Sequence, residues 1–280
     1  MLVLGDSYSA GNGSGGYYGA SGCRRSAYNY ARQYERLVEV APYNQRSFVE
    51  NAACSGAVTA DFFTSTPGRP AQNNAVNPGY DIVFLTIGGN DLGFGDIVKK
   101  CLIQVSRDGA DCDKLLANAE RLLSDGTIER RITMVLNAVR QRADPRAKIV
   151  LLGYPYLEGD PNYRLRSGHF GNTFIDVGKR LRHIGDVGDT VQTRVVTRLN
   201  SPPQHNNFVF VNTKDLFEGP PNHELFAQKS NPNRWFIQPW SDSGYIEHDT
   251  WYHPNPMGWL QEASLLLGDP RIPKHDINGA

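Results

Sequence analysis

Four residues in separate parts of the chain have the side chains and neighbours that acyl transfer requires. Ser7 follows the apolar run 1–4, Gly56 and Asn90 each follow a later β-rich run, and His253 precedes a run typical of a helix. Acyl transfer needs a nucleophilic hydroxyl, a base that passes its proton to the leaving group, and donors for the developing oxyanion. We therefore interpret Ser7 as the nucleophile and His253 as the general base.

Three N–H donors are candidates for an oxyanion hole. Gly56 has no Cβ, so its main-chain N–H can come close to a ligand, and Asn90 offers a side-chain amide directly after two glycines. The main-chain N–H of Ser7 is the third. Each residue also has an ordinary structural explanation, since Ser7 or Asn90 could cap a helix and His253 could be a packed loop residue. The order of all four favours the catalytic interpretation, because groups that follow parallel strands meet at one edge of the sheet.

Short β-rich runs alternate with helical patterns, which is typical of an α/β protein with a parallel sheet covered on both faces. The predicted strands are residues 2–4, 47–51, 81–87, 148–152 and 208–211. The predicted helices are residues 27–40, 91–104, 114–123, 127–142, 173–199 and 256–267. Residues 82–85 are continuously apolar, so we expect the third strand to be buried on both faces in the middle of the sheet.

The chain is predicted to form one domain over residues 1–268, because neither a flexible linker nor an internal repeat divides it. Two stretches, at about 154–172 and 218–249, are rich in Pro, Gly, Asn and aromatic residues. We expect them to be long loops over one end of the sheet. Residues 269–280 are expected to be an extended C-terminal tail.

Charge and hydropathy exclude several kinds of partner. The 280 residues include 29 basic and 29 acidic side chains, so no net field attracts nucleic acid or an anionic membrane. The longest apolar runs are far too short to span a bilayer, so no integral membrane contact is expected. The chain shows no signal peptide and begins almost at its first predicted strand, which suggests that a leader or upstream segment was removed. We expect a monomer.

The four cysteines form neither a Cys-x-x-Cys pair nor a cysteine–histidine spacing typical of zinc, so no metal site is expected. Cys101 and Cys112 enclose a short polar stretch suited to a small disulfide loop, which leaves Cys23 and Cys54 to pair across loops. An even number of cysteines in a loop-rich chain favours export. The alternative is four unrelated buried thiols in a cytoplasmic protein.

Taken together, the motifs resemble those of the SGNH-hydrolase superfamily, also called the GDSL esterases and lipases. Ser7 matches the nucleophile of the Gly-Asp-Ser block, Gly56 the glycine of the second block, Asn90 the asparagine of Gly-x-Asn-Asp, and His253 the general base. The segments around Ser7, Cys23, Gly56 and His253 are similar to those of secreted actinobacterial esterases and lipases. The resemblance implies a flavodoxin-like, three-layer αβα sandwich with five parallel strands, an ester hydrolase without a cofactor, and cysteines kept as disulfides.

One position departs from the family pattern. Members with a full triad carry an acid three residues before the histidine, whereas this chain has Thr250 there and Asp249 one residue earlier. A shift of one residue redirects a side chain, so we expect a Ser7–His253 dyad in which the main-chain carbonyl of Thr250 accepts the Nδ1–H of His253. Direct action of Asp249 is the alternative.

The substrate is less well defined than the reaction. The similarity to secreted lipases favours fatty-acyl esters or phospholipids, whereas other branches of the superfamily remove acetyl groups from carbohydrates. A dense group of aromatic residues precedes the histidine and could wall a pocket or attach a long loop to the domain; it comprises Trp235, Phe236, Trp240, Tyr245, Trp251 and Tyr252. A non-catalytic glycan-binding module on the same fold is the alternative from outside enzymology.

Overall fold

The protein is built on a central sheet of five parallel strands. The structure is a computed structural model that describes residues 1–167, 173–201, 207–239 and 250–274. In chain order its strands are β1 (Leu2–Gly5), β2 (Tyr17–Tyr18), β3 (Arg25–Ser26), β4 (Glu50–Asn51), β5 (Ile82–Thr86), β6 (Lys148–Leu152), β7 (Leu165–Arg166), β8 (Phe174–Ile175) and β9 (Phe208–Val211). The central sheet has the order β4-β1-β5-β6-β9 with all pairs parallel, while β2 pairs with β3 and β7 with β8 as antiparallel ribbons.

The order of the central strands is that of a flavodoxin-like sheet, in which the first and third strands in the chain are neighbours. Here those strands are β1 and β5, with Leu2 opposite Val83 and Gly5 opposite Thr86. The predicted α/β fold with its third strand in the middle of the sheet is therefore confirmed. Because the strand order changes direction between β1 and β5, a crevice opens beyond their carboxyl ends.

Helices cover both faces of the sheet. They are α1 (Ser7–Ala10), α2 (Tyr30–Glu39), α3 (Phe94–Ile97), α4 (Gly109–Ser124), α5 (Thr127–Arg142), α6 (Val177–Leu199), α7 (Lys214–Glu218) and α8 (Pro256–Gly268). Short 3₁₀ turns occur at Ser21–Cys23, Thr59–Phe62, Gln72–Ala75 and Asn90–Leu92, and a π-helical turn at Val98–Leu102. Helices α2 and α8 pack together on one face, and α4, α5 and α6 pack on the other.

Alternation along β5 explains why its sequence is continuously apolar. Successive strand side chains point to opposite faces, so Leu85 joins the core that contains Leu116 of α4, whereas Phe84 joins the core that contains Tyr34 of α2 and Trp259 of α8. Each of these side chains is almost fully buried. The two cores on opposite faces of one sheet confirm the predicted three-layer αβα sandwich.

The predicted helix over residues 91–104 is wrong in detail, because the chain breaks there into three short helical pieces. Gly93 has a φ of 82°, a left-handed conformation that ends the turn Asn90–Leu92 before α3 begins. A π-helical turn then follows α3. The predicted strand at 47–51 is also shorter, since only Glu50 and Asn51 pair with β1.

Parts of the predicted loops and tail have defined structure. The antiparallel pair β7–β8 lies at the end of the first long loop, while residues 168–172 and 240–249 lie outside the described part of the chain. In the tail, Ile272 is buried in the core beside α2 and α8, and the Pro273 carbonyl accepts a hydrogen bond of 2.8 Å from the Tyr34 hydroxyl. Residues 275–280 also lie outside the described part.

Among the helices of the described ranges, none combines the length and the apolar character needed to cross a membrane.

A carboxyl group is buried between the helices of one face. Glu262 of α8 is almost fully buried near Tyr8 and Tyr30, and no hydrogen-bond partner for it occurs among the described residues. Burial raises the pKa of Glu262 from 4.5 to about 8. The folded state therefore favours the neutral carboxyl of Glu262. The contribution of this group to the free energy of unfolding is fully present below pH 4.5 and is lost as the pH rises through about 8.

We expect Glu262→Gln to stabilise the protein at alkaline pH, because an uncharged amide costs less to bury than a carboxylate. The gain in the free energy of unfolding at pH 9 should be at least about 1 kcal/mol, or about 2 °C or more in Tm. Thermal melts at pH 5 and pH 9 measure it, with the exposed Glu39 of α2 replaced by Gln as the control. A Glu262→Gln effect equal at both pH values would contradict the expectation.

Candidate active site

Ser7 is placed at the crevice by the turn that joins β1 to α1. Gly5 has a φ of 109°, and a Cβ there would lie 2.0 Å from the Thr86 carbonyl oxygen, so only glycine fits this close approach of β1 to β5. Asp6 is the N-cap of α1 and accepts a hydrogen bond of 3.1 Å from the Tyr8 N–H. Ser7 is therefore the first residue of the helix rather than its cap, and its hydroxyl is available for another partner.

That partner is the imidazole of His253. The Oγ of Ser7 lies 2.8 Å from Nε2 of His253, although the two residues are 246 positions apart in the chain. The distance is that of a direct hydrogen bond. A nucleophilic hydroxyl and a base in such contact form the minimal pair for covalent acyl transfer.

The predicted partner of His253 Nδ1, the carbonyl of Thr250, is wrong. Nδ1 of His253 lies 3.0 Å from the main-chain oxygen of Trp251, whereas the Thr250 oxygen accepts the main-chain N–H of His253 at 3.3 Å. Because a carbonyl oxygen only accepts, Nδ1 carries the proton, and Nε2 is left to accept from the Ser7 hydroxyl. Asp249 lies outside the described residues.

The conformation of the histidine loop explains this exchange of carbonyls. Tyr252 has a φ of 62°, which is uncommon for a residue with a side chain and turns the chain sharply before His253. The turn is held by main-chain hydrogen bonds with Ile237, which donates to the His253 oxygen at 2.9 Å and accepts from Tyr252 at 3.0 Å. Sequence reasoning missed this support, since nothing in the residue types marks 235–237 as its partner.

The candidate oxyanion donors lie at the same end of the sheet. Gly56, with a φ of 76°, lies in a turn tied to the 3₁₀ turn Ser21–Cys23 by the Cys23–Cys54 disulfide. The side-chain amide of Asn90 donates to the Ala57 carbonyl at 3.0 Å, which fixes the direction of its Nδ2 beside that turn. Within the described residues, no protein group accepts a hydrogen bond from the N–H of Ser7 or Gly56.

Asp91 links the segment that follows Gly56 to the segment that carries Asn90. Its carboxylate accepts hydrogen bonds from the N–H and hydroxyl of Thr59 at 2.9 and 2.6 Å, and from Arg131 of α5 at 3.0 Å. The side chain of Asp91 is only 2% exposed, so this ion pair is protected from water on one side. Asp91 therefore fixes the position of the neighbouring Asn90 relative to the turn at Gly56.

A second buried carboxylate, that of Asp6, connects the turn at Ser7 with the turn that precedes Asn90. Asp6 accepts hydrogen bonds from the hydroxyls of Thr86 and Tyr154 at 2.7 and 2.5 Å, and the Tyr154 oxygen in turn accepts from the Gly89 N–H at 3.3 Å. Burial raises the pKa of Asp6 to about 6, against the opposing effect of these hydrogen bonds. Tyr154 therefore links the turn at Ser7 to the turn that precedes Asn90. Nothing in the residue types had singled out Tyr154.

One cleft of about 530 Å³ is lined by the predicted nucleophile and base, Ser7 and His253, and by the predicted oxyanion donors Gly56 and Asn90. One wall of the cleft is apolar and is formed by Phe94, Val98, Ile103, Val105 and Leu157. Of the aromatic residues singled out in the sequence, Trp251 and Tyr252 line the cleft, whereas Trp235 stacks on His223 with ring centroids 3.5 Å apart. Trp240 and Tyr245 lie outside the described residues.

The second disulfide supports the apolar wall. Cys101, in the π-helical turn, is bonded to Cys112 of α4, and Cys23 is bonded to Cys54, so both pairs are those predicted from the sequence. The described part of the chain contains no group of three or more His, Cys, Asp or Glu residues that could hold a metal ion.

Comparisons with known proteins found relatives in both sequence and structure. The family model described as GDSL-like Lipase/Acylhydrolase matches residues 3–258. A lipase of Streptomyces rimosus is 30% identical over 259 residues, which cover 92% of this chain and 81% of the lipase. The crystal structures of the extracellular lipase of Streptomyces rimosus and of phospholipase A1 of Streptomyces albidoflavus NA297 are each 26% identical, with TM-scores of 0.69 and 0.70. Each of these two crystal structures covers 95% of this chain, which in turn covers 97% of the chain in that structure.

Proposed function

The chain belongs to the GDSL-like lipase/acylhydrolase family and is a carboxylic ester hydrolase, and from this premise we propose that Ser7 is its acylated nucleophile. The observation that carries the proposal is the 2.8 Å contact between Ser7 Oγ and His253 Nε2. In the neutral imidazole with its proton on Nδ1, Nε2 is the basic nitrogen. The serine hydroxyl can therefore pass its proton to His253 as it attacks the ester carbonyl.

The attack produces a tetrahedral intermediate with a negatively charged oxygen. The main-chain N–H groups of Ser7 and Gly56 and the side-chain amide of Asn90 are the donors that we assign to this oxygen. Fixed donors of this kind stabilise the transition state more than the ground state, because the charge develops only during the reaction. The Asp91 and Asp6 hydrogen bonds described above hold the donors in place.

Collapse of the intermediate releases the alcohol. The Nε2–H of His253 donates its proton to the departing alkoxide, and the acyl group remains on Ser7 Oγ. A water molecule then gives its proton to Nε2 and attacks the acyl carbon. The second intermediate breaks down when Nε2–H returns the proton to Ser7 Oγ as the bond from Oγ to the acyl carbon breaks, which releases the carboxylic acid and free Ser7. The Trp251 carbonyl stabilises the imidazolium formed in each half by accepting from Nδ1–H.

The substrate that we propose is an ester of an acyl lipid. Its support is the apolar wall of the cleft beside Ser7, which offers a surface for a hydrocarbon chain. The names of the two Streptomyces enzymes, a lipase and a phospholipase A1, point to the same class of substrate. A carbohydrate O-acetylesterase would need only a short acyl pocket, and no described feature of the cleft favours it.

We further propose that the protein acts outside the cell. Both disulfides are formed, and disulfides persist mainly in oxidising compartments. The related lipase of Streptomyces rimosus is itself described as extracellular.

Labelling with a fluorophosphonate tests the proposal directly. We expect stoichiometric labelling of Ser7, located by peptide mass spectrometry, with loss of hydrolysis of acetyl, octanoyl and palmitoyl esters. Folded protein that resists labelling and hydrolyses none of these esters would instead support a non-catalytic binding module. Hydrolysis confined to the acetyl ester would favour an O-acetylesterase, because a short closed pocket loses rate steeply as the acyl chain grows.

A further inference from the structure

A second, much smaller cavity lies behind the active-site cleft. Its volume is about 50 Å³, compared with about 530 Å³ for the cleft. Its lining is mainly apolar, with Asp189 and Gln192 of α6 as polar members. The aliphatic side chains of the lining include Leu92, Leu123, Ile128, Ile132 and Ile184. A cavity of this size and polarity is too small for an acyl chain unless one of its walls moves.

One wall of the small cavity is shared with the cleft. Phe94, Tyr154 and Leu157 line both spaces, together with the backbone of Gly89. Tyr154 is held by its hydrogen bonds with Asp6 and Gly89. The Phe94 side chain has no polar group, and its ring lies 5.6 Å from the Tyr154 ring, centroid to centroid. Phe94 is therefore the largest part of the shared wall that no hydrogen bond fixes.

We propose that Phe94 sets the length of acyl chain that the enzyme accepts. Its ring ends the apolar part of the cleft, and the cavity behind it is a latent subsite for the terminal methylene groups of a longer chain. The inference rests on the proposed function, because it assumes that the acyl group lies along the wall formed by Phe94, Val98 and Leu157. Phe94 is then a residue that determines specificity without belonging to the catalytic groups.

The surroundings of Phe94 indicate that its ring can be truncated without loss of the fold. Phe94 is the first residue of the four-residue helix α3 and is only partly buried, so it contributes less to the core than neighbours such as Leu92 and Ile97. A Cβ at Gly89 would lie 3.3 Å from the Phe94 ring and 3.2 Å from the Tyr154 ring. Glycine at 89 thus lets both rings reach the space beside Asn90.

Truncating Phe94 should join the two cavities and shift the chain-length preference. Each additional buried methylene is worth about 0.8 kcal/mol, or about fourfold in kcat/KM. We expect Phe94→Ala to raise the ratio of kcat/KM for palmitoyl over octanoyl esters by about tenfold or more relative to wild type. Phe94→Leu, a milder change for the case that the alanine variant does not fold, should shift the ratio in the same direction by a smaller factor.

Two further variants separate entry into the small cavity from a general effect of losing an aromatic ring. Phe63 is a half-exposed phenylalanine that lines neither space, so Phe63→Ala should change the ratio by less than about twofold. Ile132 lines only the small cavity, so adding Ile132→Phe to Phe94→Ala should refill it and return the ratio to near the wild-type value. Thermal melts check that each variant is folded.

The results distinguish failure of this inference from failure of the proposed function. Wild-type protein that hydrolyses none of the three esters would overturn the proposed function. Active wild-type protein whose Phe94 variants keep the wild-type ratio, or whose ratio shifts equally with Phe63→Ala, would overturn the inference alone. A shift that Ile132→Phe does not reverse would also overturn it, because the chain would then not enter the small cavity.

Discussion

Replacing Ser7 with alanine will lower kcat for ester hydrolysis by at least about 10⁴-fold and abolish fluorophosphonate labelling. The acyl-enzyme cannot form without the hydroxyl, so only catalysis by the remaining oxyanion donors and by substrate binding is left. Alanine is well tolerated at the first position of α1, and Asp6 still caps the helix. The loss should therefore appear with unchanged circular dichroism and Tm.

The double variant Ser7→Ala, His253→Ala makes this expectation sharper. Residues that act as one unit in a covalent mechanism are strongly non-additive, so removing both should cost little more in kcat than removing either one. The measurement is kcat for the two single variants and the double variant with one soluble ester. Losses that multiply would show that Ser7 and His253 act independently, despite the 2.8 Å contact between them.

Replacing Asn90 with alanine will lower kcat by about 10²- to 10³-fold and leave KM nearly unchanged. The side-chain amide is assigned to the oxyanion, which carries full charge only in the transition state and the tetrahedral intermediate. A donor used only at that stage affects kcat rather than ground-state binding. Steady-state kinetics on a purified, folded variant measures both constants.

The control must separate the donor from the support that positions it. Thr59→Val removes the hydroxyl that donates to Asp91 at 2.6 Å but leaves the Asn90 amide in place. We expect it to lower Tm while reducing kcat by less than about tenfold, because the hydrogen bonds of Asp91 to the Thr59 N–H and Arg131 remain. Equal kinetic losses for Asn90→Ala and Thr59→Val would assign Asn90 a structural role instead.

Several features could be predicted because they depend on short stretches of sequence. A strand buried on both faces must be apolar at every position, so residues 82–85 identified the middle of the sheet. The family resemblance depended on local motifs around Ser7, Gly56, Asn90 and His253, and the parallel topology brings all four to one cleft. The polar stretch between Cys101 and Cys112 likewise indicated a local disulfide.

Other features depend on backbone conformation that residue types do not determine. The expected carbonyl of Thr250 was replaced by that of Trp251, because Tyr252 adopts a left-handed conformation that the sequence does not announce. The helix expected over residues 91–104 is divided at Gly93, where a single left-handed φ outweighs the helical pattern on either side.

The sequence by itself determined that residues 82–85 form the middle of a parallel sheet, and it identified the chemical groups that could serve acyl transfer. Those properties follow from local periodicity and from residue types at the ends of strands. Only the tertiary structure decided which carbonyl faces His253, that Tyr154 links Asp6 to Gly89, and that Phe94 separates two cavities. The physical reason is that these contacts join residues from distant parts of the chain, and their geometry is fixed only once the layers have packed.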